Sequence, residues 1–121
     1  MIESCITFLP VSNLGKDSPI LYRGGWTDRL EGHGKLCHLR LREGYWGFCQ
    51  YNDGRPLATG TCMSLNCESC AEVDEQYRRL TALGIQTQGQ PKRHAIFPVY
   101  SFFFADPDGY LLEFQKIVDA E

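Results

Sequence analysis

The chain has 121 residues, near the commonest size of a single domain, and its 43% hydrophobic and 22% charged content supports one ordinary core and argues against a disordered chain. Its formal net charge of −3 disfavours binding to a nucleic-acid backbone, which needs a surplus of lysine and arginine. The longest apolar run is far too short to cross a bilayer, so no membrane partner is expected either.

From the N-terminus, MIESCITFLPVSNLGKDS carries no basic leader joined to a long apolar stretch, and a cytoplasmic location is expected. Within it, SCITFLPV (4–11) is rich in β-branched and aromatic residues and reads as a strand. Gly15 and Pro19 disfavour a long helix in SNLGKDSPILYRGG (12–25), but Ser18 as cap with Pro19 in the first helical position predicts a short one ending at Gly24. WTDRLEG (26–32) reads as a weak strand, and KLCHLRLRE (35–43) and YWGFCQYND (45–53) as firmer ones. NDGRP then makes a turn in which Asp53-Gly54 readily takes positive φ.

The second half starts with the strand TCMSLNCE (61–68). Ser69 with Glu72 three residues on is a capping-box pattern, Val73, Tyr77, Leu80 and Leu83 or Gly84 recur at helical spacing, and Gly84 supplies a stop, so a helix is predicted from about Cys70. A short strand is expected near IQT (85–87), then IFPVYSFFFA (96–105) and YLLEFQKI (110–117), joined by the turn DPDG, where Pro107 presets φ and Gly109 relaxes the exit. Strand, helix and three strands thus occur twice. The expectation is an α+β fold in one domain, 1–121, made of two βαβββ modules at about 1–55 and 59–118. Helices would lie on the outer face, with the mixed sheets curving around a cavity.

Without an oxidising compartment, most of the six cysteines are expected to be reduced thiols. Cys67 and Cys70 form a single C-x-x-C, open to three readings: structural thiols, a reactive thiol at a helix N-terminus, or part of a zinc site. His33 reads as a solvated turn residue, and His38 as an outward-pointing strand residue. His94 reads as part of a surface loop, or with Lys92 and Arg93 as a cationic lip for an anion.

Three stretches, ITFLPVSNL (6–14), EVDEQYRRLTALGI (72–85) and FFFADPDGYLLEF (102–114), resemble the vicinal oxygen chelate superfamily, the group of glyoxalase I, bleomycin-resistance proteins and extradiol dioxygenases. The resemblance implies paired βαβββ modules and a homodimer. In the metal-using branches it also implies a divalent ion held by a His or Gln on the first strand, a His on the first strand of the second module, a Glu on the last strand, and in glyoxalases a carboxylate on the fourth. Glu113 falls where the last-strand glutamate stands. The other positions fall near Ile6, between Cys62 and Leu65, and near Phe48, none of them an imidazole or carboxylate. One oxygen ligand does not hold a catalytic divalent ion, because such sites use about three protein ligands.

Period-two alternation sets Leu111, Glu113 and Gln115 on one face of the last strand, and Leu112 and Phe114 on the helix-packing face. With Ile6 facing the cavity, Phe8 is expected to share its face, together with Trp46, Phe48 and Gln50, while Ser101 and Phe103 stand beside Glu113. Phe102 and Phe104 are assigned to the core. These seven residues, Phe8, Trp46, Phe48, Gln50, Ser101, Phe103 and Glu113, are the expected ligand site, unless the aromatics among them simply fill the core. The expected function is binding of a small aromatic or amphipathic molecule, with no cofactor, no catalytic metal and no catalytic residue. The alternative is a lyase, isomerase or dioxygenase using a divalent metal on Glu113, helped by Gln50, His38 or a residue of a partner subunit.

Overall fold

The computed structural model describes residues 1–14, 26–31, 34–42 and 44–118, with the backbone alone over 26–31 and 34–40. It divides into two units, Met1–Thr59 and Gly60–Glu121. The first holds β1 (Ile6–Pro10), β2 (Trp26–Glu31), β3 (Gly34–Leu41) and β4 (Gly44–Gln50) in the sheet order β1-β4-β3-β2. β1 runs parallel to β4, and the other pairs are antiparallel. The second holds β5 (Cys62–Asn66), α1 (Cys70–Ala82), β6 (Lys92–Arg93), β7 (Val99–Ala105) and β8 (Leu111–Ile117) in the order β5-β8-β7-β6, with the same pattern of one parallel and two antiparallel pairs. The sheets are mixed, as expected from strand order repeated twice. The short helix predicted at Pro19–Gly24 lies outside the described residues.

α1 starts where its cap requires. The Ser69 side chain accepts from the Glu72 amide at 3.1 Å, and the Glu72 carboxylate takes a bond from Gln76 one turn on. Gly84 at φ +78° ends it, and the Ile85 amide returns to the Leu80 carbonyl at 3.0 Å. Val73 and Leu80 are buried, and Tyr77 stands edge-on to Phe102 with ring centroids 5.3 Å apart. Beneath the helix Phe114 stacks on both Phe102 and Phe104 at 5.7 Å, and Leu112 is fully buried with them. Leu83, one of the two positions offered for the end of the apolar repeat, is exposed as the C-cap, just past the last helical residue, Ala82.

Between β7 and β8, the Asp106 carboxylate organises the DPDG turn. Its Oδ1 accepts from the amides of Asp108 at 3.0 Å and Tyr110 at 2.7 Å, while Gly109 sits at φ +88°. The short strand expected near Ile85–Thr87 is reduced to a single bridge between Thr87 and Phe104. The fourth strand of this sheet is Lys92–Arg93, paired to β7 through Ser101 and Tyr100.

The Tyr100 hydroxyl donates to Asp74 Oδ1 of α1 at 2.5 Å and pins the helix to the sheet. That bond, with burial adding to it, raises the phenol from 10.0 to about 12. The folded state therefore keeps a proton that the unfolded chain loses above about pH 10. Stability from this contact is whole below that pH and disappears as pH rises through about 12. In urea unfolding, Tyr100→Phe is expected to lose about 1–2 kcal/mol at pH 8 and to show a shallower decline between pH 10 and 12 than the parent chain. Parallel declines would refute the assignment.

Candidate functional site

Residues in register on neighbouring strands share a sheet face. In the second unit Glu113 is the partner of Ser64 on one side and of Phe103 on the other. This rung lies on the face away from α1, since the alternate positions Leu112, Phe114, Phe102 and Phe104 form the helix-side core. Glu113 is only 7% exposed, and its Oε1 accepts from the Ser64 hydroxyl. Next to Ser64 on the same face, Cys62 Sγ lies 3.9 Å from Ser64 Oγ; partial desolvation pushes the thiol up, against the bond to Ser64 and with a smaller push from Glu113. One rung further, Ser101 pairs with Gln115 and Gln115 with Asn66, and Gln115 Nε2 donates to Asn66 Oδ1 at 2.8 Å.

The first unit repeats this ladder. Each parallel pair has five rungs, and just past each comes the same backbone bond, Val11 N to Cys49 O at 3.0 Å and Cys67 N to Gln115 O at 2.7 Å. Counted from that bond, Phe8 is the counterpart of Ser64 and Gly47 the counterpart of Glu113; in backbone register the next residue on that rung is His38.

This register corrects two expectations. The positions matching the family's first- and fourth-strand ligands are Phe8 and Gly47, one or two residues from the Ile6 and Phe48 read from sequence. Phe8 also shares its face with Tyr45, Gly47 and Cys49, whereas Trp46 and Phe48 go with Thr7 and Leu9 on the other face. Trp46 is 2% exposed and Phe48 0%, and their rings meet edge-on at 5.1 Å. Gln50 turns to local structure: its Oε1 accepts from the Leu14 amide at 3.0 Å, and its Nε2 donates to Asn52 at 3.2 Å. Of the seven residues expected in the site, the register brings together Ser101, Phe103 and Glu113, and adds Ser64. It leaves Trp46, Phe48 and Gln50 in packing and bonding within the first unit.

A divalent ion at the family's position needs donors that these rungs do not supply. In the second unit the matching positions offer a hydroxyl at Ser64 and one carboxyl at Glu113, already bonded to that hydroxyl; in the first unit, taken by itself, they are a phenyl ring at Phe8 and no side chain at Gly47. Among the described residues no three His, Cys, Asp or Glu side chains gather as a metal site. The side chains at these four positions do not make up the donor set of a divalent ion.

Cys67 is held up to about 11 by burial and then by Glu72, which works against a reactive thiolate at neutral pH. His94 Nδ1 accepts from the amides of Ile96 at 3.0 Å and Phe97 at 3.1 Å, so its lone pair folds the loop and does not join a cationic lip. His33 lies outside the described residues. An open cleft of about 350 Å³ in the first unit is lined by Pro10, Val11, Ser12, Tyr51, Arg55 and Leu57, but by none of the expected site residues. Arg55 there stacks 3.5 Å over Tyr51 and pairs with Asp53 at 2.7 Å, so its charge is already matched.

The sequence matches the model of the Glyoxalase/Bleomycin resistance protein/Dioxygenase superfamily over residues 23–114. No match is found among the curated proteins. Among solved structures the chain is similar to a glyoxalase/bleomycin resistance protein/dioxygenase from Nocardioides, with TM-score 0.70 and 18% identity over 100% of this chain and 87% of that one. It is also similar to a lactoylglutathione lyase from Agrobacterium tumefaciens, with TM-score 0.66 and 23% identity over 92% and 90%. A family enzyme from Burkholderia phytofirmans PsJN gives TM-score 0.71 at 10% identity over 93% and 97%. At these identities the likeness speaks for the fold alone. No helix among the described residues is long and apolar enough to cross a membrane.

Proposed function

This chain belongs to the glyoxalase/bleomycin resistance protein/dioxygenase superfamily, and from that premise we propose that it binds a small aromatic or amphipathic molecule without a catalytic metal. The site is the sheet face around Glu113, with Ser64, Phe103 and Ser101. One observation supports the reading: Glu113's rung in the second unit carries a single carboxyl, already bonded to the Ser64 hydroxyl, and the counterpart positions in the first unit, Phe8 and Gly47, carry no donor side chain, where chelation needs about three ligands. Ring stacking on Phe103 supplies affinity, and the Glu113 carboxyl, steadied by Ser64, accepts from a donor or cation on the ligand. Such a binder needs no chemical step.

Elemental analysis of protein purified without chelator tests it. Fe, Mn, Ni and Zn are each expected well below one per chain; one ion per chain, lost on Glu113→Ala, would establish a metal-dependent lyase, isomerase or dioxygenase instead. As in the family it resembles, the protein is proposed to act as a cytoplasmic homodimer, and the same preparation should show the mass of two chains in light scattering.

A further inference from the structure

We propose, resting on the binding role of the Glu113 face, that its ligand also carries a carboxylate, and that Lys92 and Ser101 receive it. Lys92 is the register partner of Ser101, Ser101 of Gln115, and Gln115 of Asn66, so a row of four polar residues crosses all four strands on the face that carries Glu113. Gln115 and Asn66 bond to each other at 2.8 Å. At the other end of the row a hydroxyl and an ammonium stand on adjacent strands, a donor pair suited to an oxyanion.

Ser101 is 4% exposed, a polar group placed inside, while Lys92 is exposed and makes no ion pair among the described residues. Of the run Lys92-Arg93-His94, Lys92 is the residue in register with Ser101. Arg93 pairs with Tyr100 on the helix side, and His94 is bonded into its loop. Strands lie about 4.8 Å apart and alternate residues roughly 6.8 Å apart along a strand, which puts Ser101 about 8 Å and Lys92 about 12 Å from Glu113 at the backbone. The lysine's four-carbon stem spans much of that. The class that fits is an aromatic ring, seated by Phe103, with a cation or donor at one end for Glu113 and a carboxylate at the other for Lys92 and Ser101.

The test is an amide-detected NMR titration with three probes that share one ring: 4-(aminomethyl)phenylacetate, which carries both charges, 4-methylbenzylamine and 4-methylphenylacetate. The doubly charged probe is expected to bind roughly fivefold tighter than the amine, with shifts at Ser64, Ser101, Phe103 and Glu113. In Lys92→Met that ratio should fall to about one, and Lys92→Arg should restore part of it. Lys92 sits exposed on a two-residue edge strand, and an unchanged spectrum of each free variant confirms its fold. Equal affinities in the parent chain, or a ratio that survives Lys92→Met, would overturn the carboxylate subsite and leave the binding face standing. If no probe shifts those four amides, or if Glu113→Gln binds the amine as the parent does, the binding face itself fails and the subsite with it.

Discussion

Truncating Phe104 to alanine is expected to lower the stability of the chain by about 4 kcal/mol. Phe104 has no exposed surface; it stacks on Phe114 at 5.7 Å with the rings 15° from parallel and lies 5.9 Å from Phe102. Removing the ring deletes its transfer energy and leaves a cavity beside Phe102 and Phe114, which already stack on each other at 5.7 Å and are held by strands in register, so they do not move in to fill it. A domain of this size has in all roughly 5–15 kcal/mol, so the variant should be marginal at room temperature. Urea unfolding should show a lower midpoint at constant slope. Phe97→Ala, at a ring 62% exposed in the loop before β7, should stay within about 0.5 kcal/mol of the parent. A loss below about 1.5 kcal/mol at Phe104 would mean that the three-ring stack is not the core of the second unit.

That stack is legible from alternation in VYSFFFA and YLLEFQKI, because a strand with one face under a helix writes its burial in every second residue. α1 is legible for a similar reason: Ser69, Glu72 and Gly84 are local signals acting within one turn. Register between β1 and β4 is different. These strands are parallel, so no hairpin fixes which residues meet, and a one-residue slip changes the face of every side chain. Hence sequence alone groups Phe8 with Trp46 and Phe48, and reads the fourth-strand ligand position near Phe48 when the ladder sets it at Gly47. Ser64 escapes notice because a serine in CMSLN carries no signal until β5 is laid beside β8. Gln50 looks like a site residue, but its partner, the Leu14 amide, is 36 residues away in sequence. β6 is not readable at all: Lys92 and Arg93 have no strand propensity and are extended because the edge of β7 offers them hydrogen bonds. The local code thus reveals the elements, and the site depends on non-local pairing.

Replacing Glu113 with leucine is expected to stabilise the fold by about 1–2 kcal/mol while abolishing binding of amine-bearing probes. Glu113 is 7% exposed in a strand whose other buried positions are apolar, and its carboxyl is bonded to one serine hydroxyl. A carboxyl so placed forgoes most of the hydration it has in the unfolded chain, and a single hydroxyl returns only about 1 kcal/mol of that. Leucine would fill similar volume beside Phe103 with no polar group to satisfy. Ser64→Ala should do the opposite: it leaves the buried carboxyl oxygen without its donor and is expected to lower stability by about 1–2 kcal/mol. Combined with Glu113→Leu, the serine change should become nearly neutral, a coupling that a double-mutant cycle measures directly. Those signs separate a binding group from a structural one, because a residue kept for the fold does not improve the fold when removed. If Glu113→Leu instead lowers stability by more than about 1 kcal/mol, the carboxyl is a structural post of the β5–β8 pair, and the face it occupies loses its claim to be a site.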